Sequence, residues 1–211
     1  MDTMDSLDIC LQPTETIDSG SELVVRTAES VTEGCVGEAK KATRLFYYVR
    51  DGIKYNPYLA MLPIDEYRAS RTMERKEGYC TQKAVVLAAL ARACGIPATL
   101  GFADIVNHRV PEKLHDMMGT NLFVYHGYAN LWLNDRWVKA TPAFNAELCD
   151  KDGLVPVEFD GIHDAVFHPT NKDGQPHIEY VRYHGDFTDL PFEDIMRTFL
   201  VTYHPSKYSS Q

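Results

Sequence analysis

The sequence lacks the features that identify several classes of protein. No apolar run approaches the length of a membrane span, so we expect no membrane partner. The N-terminus begins Met1-Asp2 and has neither the basic nor the apolar region of a signal peptide. The formal net charge of -9 disfavours nucleic acid as a partner, because phosphate needs a basic face. The five cysteines are odd in number and follow no framework spacing, which predicts reduced thiols and fits a prokaryotic cytoplasm.

Metal-binding motifs are also missing from the sequence. The histidines and cysteines show no C-x-x-C, no H-E-x-x-H and no His-x-x-x-His spacing. Two Asp- and Gly-containing segments, 150–153 and 171–174, superficially resemble calcium loops, but neither continues to the acidic residue that such a loop needs. We interpret both segments as turns and expect neither a metal nor another cofactor.

A cysteine stands at the start of a long apolar segment. Residues 80–94 predict a helix, which Gly95 and then Pro97 would end. Gly78 allows the chain to turn sharply into this helix. A thiol at a helix N-terminus meets unpaired amides and the positive end of the macrodipole, and both favour the nucleophilic thiolate. We therefore predict that Cys80 is a nucleophile. Near neutral pH it should be alkylated faster than the other four cysteines, which we interpret as packing or surface residues: Cys10, Cys35, Cys94 and Cys149.

A cysteine nucleophile needs a base, and the base needs an orienting partner. Residues 121–142 predict two strands of β-branched and aromatic residues around a turn at 134–135. His126 lies in the first strand and Thr141 at the end of the second, so the hairpin would bring them side by side. The histidines in the polar segment before the hairpin are more typical of surface loops: His108 and His115.

This order of cysteine at a helix start, histidine in a strand and polar residue in the next strand resembles the transglutaminase-like superfamily. Its core belongs to the papain-like cysteine-enzyme fold. The resemblance covers about residues 15–145, and four segments carry it: G-x-C at 78–80, G-I-P-A at 95–98, V-x-D-x-I-x-Y at 49–55, and the histidine strand at 126–131 with Trp137-Val138 after it. The resemblance implies Cys80 as nucleophile and His126 as base. It implies an α+β fold, in which N-terminal helices, with the nucleophile at a helix N-terminus, pack on an antiparallel β-sheet.

The third catalytic position departs from the family pattern. The family usually has an Asp four residues after the tryptophan, and Thr141 stands there in this chain. The resemblance assigns the third role to Thr141, whose hydroxyl or carbonyl could accept a hydrogen bond from His126. Alternatively, the carboxylate could come from Asp160 or Asp164 downstream. For the oxyanion, the backbone amide of Cys80 is one candidate donor, and a second could come from a nearby side chain: Gln82, Tyr79 or Tyr125.

The chain is predicted to form one domain over residues 1–211, with a core at about 15–145 and a C-terminal extension, 150–211, packed on that core. Residues 1–22 are predicted to be extended or partly loose. Helices are predicted at about 22–33, 36–50, 64–71 and 80–94, followed by a strand at 98–106, a polar loop and the hairpin. The extension should hold one strand at 178–183 and one helix at 192–201.

Two classes of function are compatible with these residues. In the first, Cys80 attacks an amide or peptide-like bond, and water or an amine resolves the thioester. Hydrolysis, as in a protease or amidase, is favoured over amine transfer, since a small domain does little to exclude water. The substrate would be a peptide or amide, possibly within a protein. In the second class, a catalytically weakened or inactive binding module keeps the cleft, but retention of both Cys80 and His126 argues against it. The sequence gives no indication of the oligomeric state.

Overall fold

The computed structural model describes residues 7–203 of the chain. The N-terminal segment 7–21 packs on the core, and Cys10 and Ile17 are both buried. The backbone N–H and the hydroxyl of Thr16 donate to the carboxylate of Asp189. The prediction of a loose N-terminus is therefore wrong for residues 7–21, while residues 1–6 lie outside the described part. Two apolar side chains and one distant carboxylate supply contacts that local sequence does not reveal.

Two amphipathic helices follow, α1 (Glu22–Thr32) and α2 (Glu38–Gly52), close to the predicted bounds. The side chain of Ser21 accepts from the N–H of Val24 at 3.4 Å and so caps the first helix. The buried face of α2 consists of the apolar residues whose helical spacing predicted it: Ala42, Leu45, Phe46 and Val49.

Short elements then lead into the segment that carries the predicted nucleophile. Strands β1 (Lys54–Tyr55) and β2 (Glu77–Gly78) pair in parallel. Helix α3 (Ala69–Arg75) lies between them in sequence, overlapping the helical piece predicted at 64–71. Two single-turn 3-10 helices complete the connection: Pro57–Leu59 and Ile64–Tyr67.

Helix α4 (Cys80–Ala93) runs through the core, and nearly every residue in it is buried. Its one lysine, Lys83, is also buried, and its ammonium donates to the carbonyls of Arg50 at 2.9 Å and Ile53 at 2.6 Å. Burial lowers the pKa of Lys83 to about 7. A helix that is apolar around its whole circumference must be covered on every side, which explains its central place.

The main sheet has four antiparallel strands: β3 (Ala98–Asn107), β4 (Leu122–Leu133), β5 (Arg136–Ala140) and β6 (Ile178–Phe187). Their order across the sheet is β5-β4-β3-β6. The β4–β5 hairpin turns at Asn134 and Asp135, whose φ angles of 51° and 61° are the left-handed values of a tight hairpin turn. The predicted polar loop before β4 contains a helix, α5 (Glu112–Met118), because Leu114 and Met118 bury one face of it.

The C-terminal extension is built into the fold through the sheet. After helix α6 (Ala146–Asp152), strand β6 (Ile178–Phe187) pairs with β3 along its length, and helix α7 (Phe192–Thr202) follows. The strand and the last helix match the predicted elements, whereas α6 was not predicted. Apolar residues from the extension join the same buried cluster as α4, among them Phe159, Phe167 and Phe199. Helices and an antiparallel sheet thus share one core, which confirms the α+β prediction.

Candidate active site

The predicted nucleophile is the first residue of α4. The chain enters this helix from β2 through Gly78, where a Cβ would lie 3.1 Å from Cγ2 of Thr72. The N–H of Tyr79 donates to Oε1 of Gln82 at 3.2 Å, and Nε2 of Gln82 donates to the carbonyl of Glu66 at 3.2 Å. Gln82 is therefore a buried cap of the helix and not a free oxyanion donor. This correction follows from its position three residues after the cap, where an amide side chain can reach back.

The environment of Cys80 contains opposing effects on the thiol. Cys80 is 8% exposed, and burial raises the pKa of its thiol. Backbone amides of Gly127, Thr81 and Cys80 point to the sulfur and act in the opposite direction, but burial is the largest effect. The expectation that the helix N-terminus makes Cys80 a thiolate is thus not met in this structure, because desolvation outweighs the amides.

Close packing between α4 and β4 brings the Gly127 amide to the sulfur. A Cβ on Gly127 would lie 2.8 Å from the Cα of Thr81, a distance that real Cβ atoms do not reach. Glycine is the residue that permits this approach. Gly127 was not among the predicted site residues, although it directly follows the predicted base His126.

The predicted base, His126, follows a kink in β4. Tyr125 has a φ of 53°, a left-handed backbone angle that residues other than glycine rarely adopt. Its N–H donates to Oδ1 of Asp104 at 3.0 Å, and the same oxygen lies 2.7 Å from Nε2 of His184. The His184 ring stacks on the Tyr125 ring with centroids 4.0 Å apart. Asp104 and His184 therefore hold the kink from which His126 projects.

The imidazole of His126 is buried against aromatic rings. His126 is 3% exposed, and its ring centroid lies 4.9 Å from that of Phe167 and 6.2 Å from that of Tyr180. Burial lowers the pKa of His126 to about 3. Nε2 is fully buried and makes no hydrogen bond with any residue in the range 7–203. Among these residues, no carboxylate therefore accepts a hydrogen bond from Nε2 in the way that the family pattern implies.

Thr141 lies just past the end of β5 and is fully buried. Its N–H donates to the carbonyl of Ala165 at 2.8 Å, which fixes the backbone. Extending the β4–β5 register, in which Ala129 pairs with Ala140, makes Thr141 a diagonal neighbour of His126. Its Oγ1 makes no hydrogen bond of accepted geometry among the described residues. The hydroxyl of Tyr180 lies beside Oγ1 of Thr141. Burial raises the pKa of Tyr180, and the nearby Thr141 hydroxyl offsets part of this rise.

The two downstream carboxylates are engaged elsewhere. Asp160 accepts from the N–H groups of Ile162 and His163, each at 2.8 Å, and so closes its own exposed turn. Asp164 accepts from the N–H of Lys139 at 2.9 Å. Asp160 and Asp164 therefore do not orient His126, and turn formation is the better explanation of Asp160.

Cys80 and His126 line the same cavity, of about 810 Å³. The thiol and the imidazole make no hydrogen bond with each other here, and the side-chain partner of Sγ is Oγ1 of Thr81 at 3.9 Å. His108, the residue after the end of β3, also lines this cavity, whereas His115 is exposed on α5. Of the other oxyanion candidates, Tyr79 donates its hydroxyl to Tyr67 at 3.2 Å.

The described residues contain neither a metal-binding cluster nor a membrane-spanning helix. Within residues 7–203, no three His, Cys, Asp or Glu side chains converge in a way that could hold a metal ion. No helix in the same range is both long and apolar enough to cross a membrane.

Comparisons with known proteins identify the family. A model described as "Transglutaminase-like superfamily" matches residues 25–142, which is more than half of the chain. The chain belongs to the transglutaminase-like superfamily. The range that matches the family model ends one residue after Thr141, so it includes the three predicted site residues, Cys80, His126 and Thr141. A comparison with curated protein sequences finds no significant match.

A solved structure with a TM-score above 0.5 supports the same fold. A protein of Cytophaga hutchinsonii, provisionally named a cysteine protease, is 15% identical to this transglutaminase-like chain with a TM-score of 0.52, over 87% of this chain and 55% of its own. The periplasmic domain of TgpA from Pseudomonas aeruginosa is 18% identical with a TM-score of 0.46, over 67% of this chain and 48% of its own. The chain thus spans about half the length of these structures.

Proposed function

We propose that this protein is a cysteine-dependent hydrolase of amide or peptide bonds. The observation that carries the proposal is that Cys80, at the N-terminus of α4, and His126, from β4, line one cavity in a chain of this family. The catalytic roles of Cys80, His126 and Thr141 are part of the proposal. A peptide or protein substrate is supported by the protease name of the C. hutchinsonii neighbour.

The reaction begins from a neutral thiol and a neutral imidazole. The raised pKa of Cys80 and the lowered pKa of His126 favour this pair over a thiolate and imidazolium. The thiol proton moves to His126 as sulfur attacks the carbonyl carbon. The proposed donor to the oxyanion is the backbone amide of Cys80. The C–N bond then breaks, and His126 gives its proton to the leaving amine, which leaves a thioester on Cys80.

Water completes the reaction in the proposed mechanism. His126 takes a proton from a water molecule as the oxygen attacks the thioester carbonyl, and it gives this proton to the sulfur when the C–S bond breaks. The products are a carboxylic acid and the regenerated thiol. An 810 Å³ cavity beside Cys80 gives water room to reach the thioester, and this supports hydrolysis over transfer to an amine.

Isotope labelling tests the choice between the two acceptors. Peptides are incubated with the protein in ¹⁸O-water, with and without a small primary amine, and the products are analysed by mass spectrometry. We expect ¹⁸O in the new carboxyl group, no activity in Cys80→Ala and His126→Gln, and normal activity in Cys94→Ala. Cys94 is a matched control because it lies at the other end of the same helix. Amine-linked products in place of acids would contradict hydrolysis.

A binding module without chemistry is the second candidate. The buried Nε2 of His126 and the buried Oγ1 of Thr141 both lack hydrogen-bond partners in the described chain, which favours a weakened catalytic unit. This candidate predicts that wild type and Cys80→Ala bind a peptide equally and that neither cleaves it. Binding isotherms of both proteins, measured beside the cleavage assay, separate the two candidates.

The proposed compartment is the cytoplasm. Cys35, Cys80, Cys94 and Cys149 are free thiols in the structure, as expected for a protein kept in a reducing environment. Fractionation of the producing cells tests this location, and recovery outside the cytoplasm would contradict it.

A further inference from the structure

The cleft has a second, apolar arm beside the candidate catalytic pair. Cys80 and His126 both line a cavity of about 340 Å³ in addition to the larger cavity already described. The two cavities share these two residues and also Tyr55, Pro57, Tyr58, Leu114 and Phe123, so they adjoin along one wall. A ligand bound across the thiol would place different groups in each arm.

Among residues 7–203, the lining of the smaller arm contains no Asp, Glu, Lys or Arg side chain. Methionines and other apolar residues from α5, α7 and the segment after β1 surround it, among them Met61, Leu114, Met117, Met118, Phe199 and Leu200. At its rim, Tyr58, Met61 and Leu200 are 49%, 58% and 64% exposed. Apolar side chains that are half exposed beside a cleft gain stability when a ligand covers them.

The larger arm differs in having charged side chains in its lining. These are Arg109, from the segment after β3, and Lys151 and Asp152, both from α6, together with the buried His177. Nδ1 of His177 is fully buried and makes no hydrogen bond within residues 7–203. The polar arm therefore suits peptide backbone or polar groups, whereas an apolar group would leave its charges desolvated.

We infer that the apolar arm is a specificity pocket for a large apolar side chain of the substrate, within one or two residues of the scissile bond. This inference rests on the proposed hydrolase function. The volume is at the small end of the range for ligand pockets and fits a single side chain and its immediate backbone. The methionines adapt to different shapes, so leucine, methionine and phenylalanine side chains should all be accepted.

The first test measures binding without chemistry. Protein carrying ¹³C-methyl methionine is titrated with N-acetyl-phenylalanine amide and, separately, with N-acetyl-aspartate amide. We expect the signals of Met61, Met117 and Met118 to shift with the phenylalanine ligand alone. Met73 serves as internal control, because it is buried on α3 and does not line the cavity. Unmoved pocket signals, or equal shifts with the aspartate ligand, would overturn the inference whatever the activity.

The second test measures cleavage with a matched pair of variants. Leu200 lines the cavity, and its neighbour Val201 does not. Because their side chains are 64% and 75% exposed, both positions tolerate a polar residue. We expect kcat/KM for a phenylalanine peptide to exceed that for an alanine peptide by about 10- to 200-fold. Leu200→Glu should remove this preference, and Val201→Glu should keep it.

The outcomes distinguish the pocket from the hydrolase. Cleavage without preference among apolar, small and acidic residues overturns the pocket and leaves the proposed function standing. Absence of cleavage together with the expected methionine shifts overturns the hydrolase and supports the pocket.

Discussion

Restoring a carboxylate at position 141 is the perturbation that addresses the departure from the family pattern. Thr141→Asp places an acceptor beside the buried Nε2 of His126, which lacks a partner in the described chain. Burial lowers the pKa of His126 to about 3, from an ordinary value of about 6.5, which makes the imidazolium roughly 5 kcal/mol harder to form. An opposite charge within hydrogen-bonding range returns about 1–3 pKa units. The carboxylate therefore offsets part of the cost of burial and not all of it.

The assay is the pH dependence of Cys80 alkylation by iodoacetamide. Because an imidazolium stabilises the thiolate, we expect the midpoint in Thr141→Asp to fall relative to wild type, by less than the roughly 1–3 pKa units that His126 itself regains. In wild type the midpoint should lie above that of an ordinary thiol, since burial raises the pKa of Cys80. Thermal unfolding should show a lower Tm for the variant, because the new carboxylate is buried.

Two further variants separate charge from shape at position 141. Thr141→Asn offers a neutral acceptor, and Thr141→Val removes the hydroxyl while it keeps the branched shape. Equal midpoints in Thr141→Asp and Thr141→Asn would refute the idea that this position holds the third catalytic role.

Three more predictions concern the packing and titration of the site. Gly127→Ala should lower the free energy of unfolding in urea by about 1–3 kcal/mol and reduce activity, because its Cβ meets the backbone of α4, whereas Gly20→Ala, with open space around it, should be neutral. Asp104→Ala leaves the N–H of Tyr125 unpartnered, so kcat should fall more than KM rises, and Asp104→Asn should recover most of the loss. Because His126 binds its proton only when unfolded, it should add about 1.4 kcal/mol per pH unit to the fall in unfolding free energy from about pH 6.5 towards 3, and His126→Gln should reduce the slope by that amount, while the contribution of His177, whose pKa burial lowers to about 4, remains. Equal slopes would contradict the assigned burial of the imidazole.

Elements with a strong local pattern could be predicted from the sequence. Helix α4 is apolar over most of its length and ends at Ala93, two residues before Gly95, and the β4–β5 hairpin turns at Asn134 and Asp135. Helices α5 and α6 were missed, because each has only seven residues and mostly polar positions. The pairing of β6 with β3 joins residues 100 and 187, and no local signal fixes such a register.

The candidate site could be predicted in its order but not in its surroundings. Cys80 and His126 follow from motif and sequence order, and their catalytic roles stay predictions. The ionisation of the thiol could not be predicted, because burial depends on packing from distant segments. The contact of Asp104 with His184 joins two strands whose pairing the sequence did not reveal. The role of Gly127 depends on a close approach to Thr81, 46 positions earlier in the chain.

Trapping of the acyl-enzyme tests the central claim most directly. The protein is mixed with a peptide activated as a p-nitrophenyl ester, quenched within the first turnover, digested and analysed by mass spectrometry. The account predicts one acyl group on the peptide that contains Cys80, formed in wild type and in Cys94→Ala and lost in Cys80→Ala. In His126→Gln the acyl group should form slowly and persist. Acylation of another residue at the same rate, with Cys80 unmodified, would contradict the assignment of Cys80 as the nucleophile.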